Sequence, residues 1–116
     1  MKKGHFSQVS PQVFDEGGIK GVEKRVLIGS REGAPNFVMR LFTMKPGGHT
    51  DYHSHPWEHE VFVVEGEITV VGPDGKEETL TEGSFVFVEP NEKHQFKNNS
   101  NKTAKFICVI PKSGGE

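Results

Sequence analysis

No stretch of this chain sustains a 3.6-residue apolar period. Its apolar residues come instead in short β-branched and aromatic runs set off by glycine and proline. That pattern constrains the fold more than any other feature, because such runs are too short for helices and too evenly spaced for one open sheet. Strands are expected at Lys24–Gly29, Phe37–Met44, His49–His55, Glu60–Val64, Glu67–Val71, Lys76–Thr81, Ser84–Glu89, His94–Lys97 and Ala104–Ile110. The turns agree. Gly72-Pro73-Asp74-Gly75 joins two strands, with proline presetting φ and Gly75 free to take φ > 0. Glu82-Gly83, Pro46-Gly47-Gly48 and Pro90-Asn91 are read as further breaks, and Asp15–Gly21 and Ser30–Asn36 as polar loops. The expected architecture is all-β, one sandwich or barrel. It has an N-terminal arm at 1–22, the barrel at 23–111 and a frayed tail at 112–116.

At 116 residues the chain fits one domain with a core of its own. A single cysteine, Cys108, excludes an intrachain disulfide framework. No run approaches the roughly 20 apolar residues of a membrane span, and MKKGHFSQ leads into no apolar segment. With a net charge of −2 and lysines dispersed among acids, no nucleic-acid surface is indicated. A cytoplasmic protein acting on a small molecule, with neither nucleic acid nor membrane as partner, is the expectation.

Chemistry is concentrated in the histidines. His53, His55 and His59 fall in HSHPWEH, and His94 follows in PNEKHQF. Imidazole is the commonest protein ligand for transition metals. On an extended segment His53 and His55 point to one face. If a strand starts near His59, then His59, Val61 and Val63 share a face opposite Glu60, Phe62 and Val64. A lone His-x-His pair is more often a solvated polar pair than a ligand set, so the weight falls on what surrounds it.

Two glycine registers supply that weight. Gly47 stands six residues before His53-Ser54-His55, with Gly66 downstream; Gly83 precedes His94, with Asn98 four residues later. These runs resemble the two cupin motifs, G-x5-H-x-H-x3,4-E-x6-G and G-x5-P-x-G-x2-H-x3-N, over about Arg25 to Ile110. The resemblance implies a single-domain cupin jelly-roll barrel holding a divalent metal. Counting back from Gly66, the motif's glutamate position falls on His59; the longer spacing would put Glu60 there. The chain so resembles four-histidine manganese cupins, with His53, His55, His59 and His94 as ligands. Manganese comes first and iron second, with nickel, copper or zinc as alternatives. Glu89 stands at the motif's proline and Asn91 at its glycine, and asparagine tolerates the left-handed conformation that turn requires.

Four neutral imidazoles would leave a +2 ion uncompensated, favouring anionic ligands and a lowered pKa of bound water. Four protein ligands on a six-coordinate ion leave two positions open. Arg40, in FVMRLFTM, either clamps a carboxylate near the metal or lies on the solvated face. Phe106, Cys108 and Ile110 alternate on one face of the last strand and are expected to wall the pocket. Cys108 is otherwise a small core residue. Trp57 is read first as loop packing, with capping of the pocket or a dimer contact as alternatives, and Glu58 and Glu60 as solvated unless they orient ligand rings. The leading functional expectation is a redox-active oxygenase or oxidase acting on a small organic substrate. A non-catalytic metal- or ligand-binding cupin and a sugar isomerase-type cupin are the alternatives. Open sheet edges point to a homodimer.

Overall fold

Nine strands carry the fold: β1 (Gln12–Phe14), β2 (Lys20–Ile28), β3 (Phe37–His49), β4 (His59–Glu65), β5 (Ile68–Val71), β6 (Glu77–Leu80), β7 (Phe85–Val88), β8 (Gln95–Lys97) and β9 (Ala104–Pro111). The computed structural model describes all 116 residues. There is no α-helix, only three-residue 3-10 turns at Phe6–Gln8, Ser30–Glu32 and Lys112–Gly114. None of these is long and apolar enough to cross a membrane. Strands neighbour one another in the order β6-β5-β8-β3-β9-β4-β7, with β2 also on β3 and β1 on β2. This is the expected all-β, nearly closed jelly-roll barrel.

β3 turns the sheet into a barrel. Its first part, to Met44, lies between β2 and β9. Its last residue, His49, pairs with Lys97 of β8 in the opposite layer. Between them, Lys45 to Gly48 bulge out, because β2 advances two residues from Lys20 to Val22 while β3 spans five from His49 to Met44. Pro46-Gly47-Gly48 therefore bends the strand instead of ending it. Gly47 takes φ 80°. A Cβ on Gly48 would sit 2.9 Å from the carbonyl oxygens of Gly21 and Lys45. The carbonyl of Met44, next to the bulge, is satisfied by buried Asn98, whose Nδ2 donates to Met44 O (3.0 Å) and Lys102 O (2.8 Å).

Alternation sorts each strand into an inner and an outer face. On β4, His59, Val61 and Val63 are buried while Glu60, Phe62 and Val64 are exposed, as the spacing predicted. On β9, Ala104, Phe106, Cys108 and Ile110 point inward. With Val38, Met44, Ile68 and Phe96 they form the core, and burial of such side chains at roughly 2 kcal/mol apiece drives folding.

Three sequence expectations are corrected. β2 begins at Lys20, and the unforeseen β1 adds to its edge, so the N-terminal arm enters the sheet. No strand spans His49–His55; past His49 only an isolated bridge, His53 with His94, is formed. The tail is not frayed. Lys112 N–H donates to Asn36 O (2.9 Å), and the Glu116 carboxylate accepts from Ser30 N–H (2.7 Å).

Candidate metal centre

The four histidines come from three places that the barrel brings together. His53 and His55 lie on the irregular segment after β3, His59 opens β4, and His94 precedes β8. Backbone bonds lock the two halves: His53 N–H to His94 O (3.1 Å), His94 N–H to His53 O (2.9 Å), and Asn91 N–H to His55 O (2.8 Å). Asn91 reaches that carbonyl from φ 68°, the left-handed conformation expected of it.

The ligand nitrogens of His53, His55 and His94 all lie within 4.8 Å of one another, so these three could bind a metal. His59 stands beside them, its ring centroid 4.5 Å from that of His55 and 5.0 Å from that of His94. Their outer nitrogens are held. His55 Nδ1–H donates to Trp57 O (3.1 Å), and His94 Nδ1–H donates to Glu92 O (2.8 Å). A carbonyl can only accept, so both rings turn an Nε2 lone pair inward. His59 Nδ1 lies 3.1 Å from Cys108 Sγ and 3.5 Å from Arg40 Nη2. Backbone carbonyls and a sulfur thus occupy the places where Glu58 or Glu60 might have served. Glu60 is exposed on the far side of β4, in an outer groove beside Phe37 and Val109.

One contact tests whether these residues suit a metal. His55 Nε2 and His59 Nε2 are 2.8 Å apart. His55 Nε2 turns a lone pair toward His59, so His59 either donates its Nε2–H across the gap or shares a metal ion with His55. With metal–nitrogen bonds near 2.1 Å, neighbouring ligands at right angles sit about 3 Å apart, so the pair fits a shared ion. The rings are also kept neutral. Burial, and then the charges of His94, Arg40, His55 and His53, hold His59 down to about 3. Burial likewise lowers His55 and His94. Neutral imidazole is the form that ligates.

A cavity of about 230 Å³ opens over the cluster. Phe96 and Phe106 form its floor, and Phe42 stacks on Phe106 with centroids 5.1 Å apart and planes 8° off parallel. Trp57 lies flat on His55 (4.3 Å, 5°) and is itself covered by Gly114 of the tail. It is a pocket wall, not mere loop packing. Cys108 lines the pocket as expected, and burial pushes its thiol pKa up. Arg40 is not on a solvated face: it is 8% exposed and lines the cavity. Lys24 and Phe42 also line it and were missed. The alternation Val22-x-Lys24-x-Val26, which sets a lysine on the apolar face of β2, was the available signal. His49, whose Nδ1 bonds to Thr50 O, and His5, which caps the first 3-10 turn, take no part.

A family model described as "Cupin domain" matches residues 40–110. Among solved structures, the polyketide cyclase RemF from Streptomyces resistomycificus is 37% identical, with 96% of this chain and 79% of that one covered and a TM-score of 0.89. A cupin 2 domain-containing protein from Halorhodospira halophila is 33% identical over 78% of this chain and 64% of that one, with a TM-score of 0.72. A sugar phosphate isomerase of the cupin superfamily from Silicibacter pomeroyi, 21% identical over 95% and 75% with a TM-score of 0.81, shares the fold. No curated protein sequence matches the chain.

Proposed function

The chain belongs to the cupin domain family, and from that premise we propose a metal-dependent enzyme that closes a ring in a small, carbonyl-rich substrate. His53, His55, His59 and His94 would hold one divalent ion, with manganese first and iron, nickel, copper or zinc as alternatives. The observation that carries the reading is the set of inward lone pairs beneath a cavity walled by flat apolar side chains. The likeness to a polyketide cyclase over nearly the whole chain supports the reaction class. A bound divalent ion would supply Lewis acidity, polarising carbonyl oxygens and favouring their enolates. The protein's own part is to bind and orient: Phe42, Phe106 and Trp57 give the cavity apolar walls that hold a flat substrate and keep bulk water out. Ring closure of this kind joins an enolate carbon to a carbonyl carbon and is redox-neutral. Its product is an isomer of the substrate, or lighter by one water.

A second reading, the oxygenase or oxidase, is favoured by the count of donors, since four leave two positions on a six-coordinate ion for oxygen and substrate. Isomerase chemistry is less well supported. It must take a proton from carbon that a single carbonyl activates, which needs a positioned base, whereas carbon between two carbonyls gives up its proton far more readily; neither Tyr52, bonded to Gly72 O, nor any carboxylate lines the cavity.

The test has two parts. Elemental analysis of protein purified without chelators should find one transition ion per chain, retained in Glu60→Ala and lost in His59→Ala and His94→Ala. Retention by His59→Ala with loss in Glu60→Ala would overturn the four-histidine set. The loaded protein should then convert a linear 3,5,7-triketo carboxylic acid to a product isomeric with it, or one water lighter, equally well under nitrogen. A product carrying added oxygen, with oxygen consumed, would replace this reading with the oxygenase.

The protein is also proposed to work as a homodimer. Phe85, at 80% exposure, stands with Phe62 and Phe87 on the outer face of β4 and β7. β7 pairs on one side only, so an apolar patch adjoins an open edge.

A further inference from the structure

The metal cluster occupies one side of the cavity. The other is lined by two cations and no acid, and Glu116 reaches Lys24 from the mouth. Arg40 and Lys24 line the cavity, and not one aspartate or glutamate does. Arg40 lies on β3 opposite Val26, and Lys24 on β2 opposite Phe42, so the two are diagonal neighbours on the inner face. Arg40 is more than nine-tenths buried, and its Nε has no hydrogen-bond partner. Its Nη2 reaches only Cys108 Sγ (3.0 Å) and His59 Nδ1 (3.5 Å), and its guanidinium lies 5.0 Å over the Phe42 ring. A buried guanidinium without a carboxylate is costly, and proteins retain one where a counter-charge arrives. Lys24 donates to the main-chain oxygen of Glu116 and lies 5.5 Å over Phe14, half-buried at the mouth. Burial, and then the charge of Arg40, lower its pKa, while the charge of Glu116 raises it.

We infer that Arg40 and Lys24 form an anion-holding subsite, and that the substrate has a flat body ending in a carboxylate. The planar fork of arginine matches a carboxylate in shape as well as charge. Arg40, with its unpartnered Nε, lies beside the stacked Phe42–Phe106 pair, so a carboxylate held there would run the attached ring or polyene along the phenylalanine wall. The far end of the same molecule then reaches the histidines. This assignment rests on the metal-site reading for its second anchor, while the subsite itself is built from β2 and β3 alone.

Calorimetric titration with trans-cinnamate and its uncharged isostere cinnamamide tests it, with metal content measured on the same samples. Wild-type protein should bind the acid about tenfold or more tightly than the amide, because charge-assisted bonds to a desolvated guanidinium outweigh neutral ones. Arg40→Met should reduce that preference to under about threefold, Arg40→Lys should restore it in part, and Lys24→Met should weaken acid binding with the metal retained. Equal binding of acid and amide, failure of both to bind, or an undiminished preference in Arg40→Met would each overturn the subsite. Wild-type protein as purified without chelator separates the two claims. An acid preference persisting in protein that never held a metal would sink the metal reading and leave the subsite standing. Stoichiometric metal without an acid preference would do the reverse.

Discussion

Acidifying the metal-free protein should unfold it well above the range in which its carboxylates titrate, and His59 sets the scale. In the unfolded chain a histidine takes up its proton near pH 6.5. In the folded barrel, burial and the surrounding positive groups hold His59 down to about 3. Between those values only the unfolded state binds the proton. The stabilisation is therefore complete above about pH 6.5 and is lost as pH falls towards 3. At about pH 4.5 the unfolded chain has gained two units of advantage, worth about 3 kcal/mol from this one ring. His55 and His94, lowered chiefly by burial, add loss of the same sign. Glu32 and Glu116 are held down by hydrogen bonds from Arg31 and from Ser30, and contribute only as pH falls below about 4.5. Urea unfolding of chelator-treated protein, followed by the fluorescence of the lone Trp57, should show the midpoint falling steadily from about pH 7 to about pH 4.5. His59→Leu should be shallower by about 1.4 kcal/mol per pH unit across that interval. A flat wild-type profile, or the same slope in His59→Leu, would refute the claim that a buried neutral imidazole sits at the head of β4.

Other outcomes follow from packing. Phe106→Ala, which empties the stack with Phe42 and Phe96, should cost about 3–5 kcal/mol in urea unfolding and abolish cinnamate binding. Gly48→Ala should cost about 1–3 kcal/mol, since its Cβ would press on backbone oxygens of both β2 and β3; a neutral result would show that the bulge can relax. Phe85→Glu should turn a dimer into a monomer by light scattering with its metal content unchanged, whereas a wild-type monomer would remove the dimer proposal.

Much of the barrel was legible in local pattern. Period-two alternation placed His59, Val61 and Val63 inside and Glu60 outside, because the pleat admits only two faces. It also put Phe106 and Cys108 on the inner wall. The glycine registers located the histidines in sequence, and the left-handed Asn91 turn was foreseen because an asparagine stands at the motif's glycine. Lys24 was overlooked although its alternation marked it, because a lysine between valines is usually read as surface.

Other features depended on distant partners. Whether Pro46-Gly47-Gly48 ends a strand or bends it is decided by Asn98 and Gly21, which meet the bulge from elsewhere in the chain. The tail is ordered by Ser30 and Asn36, and Trp57 becomes a wall because His55 and Gly114 lie on its two sides. Arg40 gave the least away. Its neighbours in sequence suit either face, and only the closing of β3 against β2 and β9 buries it among Lys24, Cys108 and His59. A sequence states which groups share a strand face, because that follows from the pleat. It does not state which groups share a cavity, because that follows from how the sheet closes.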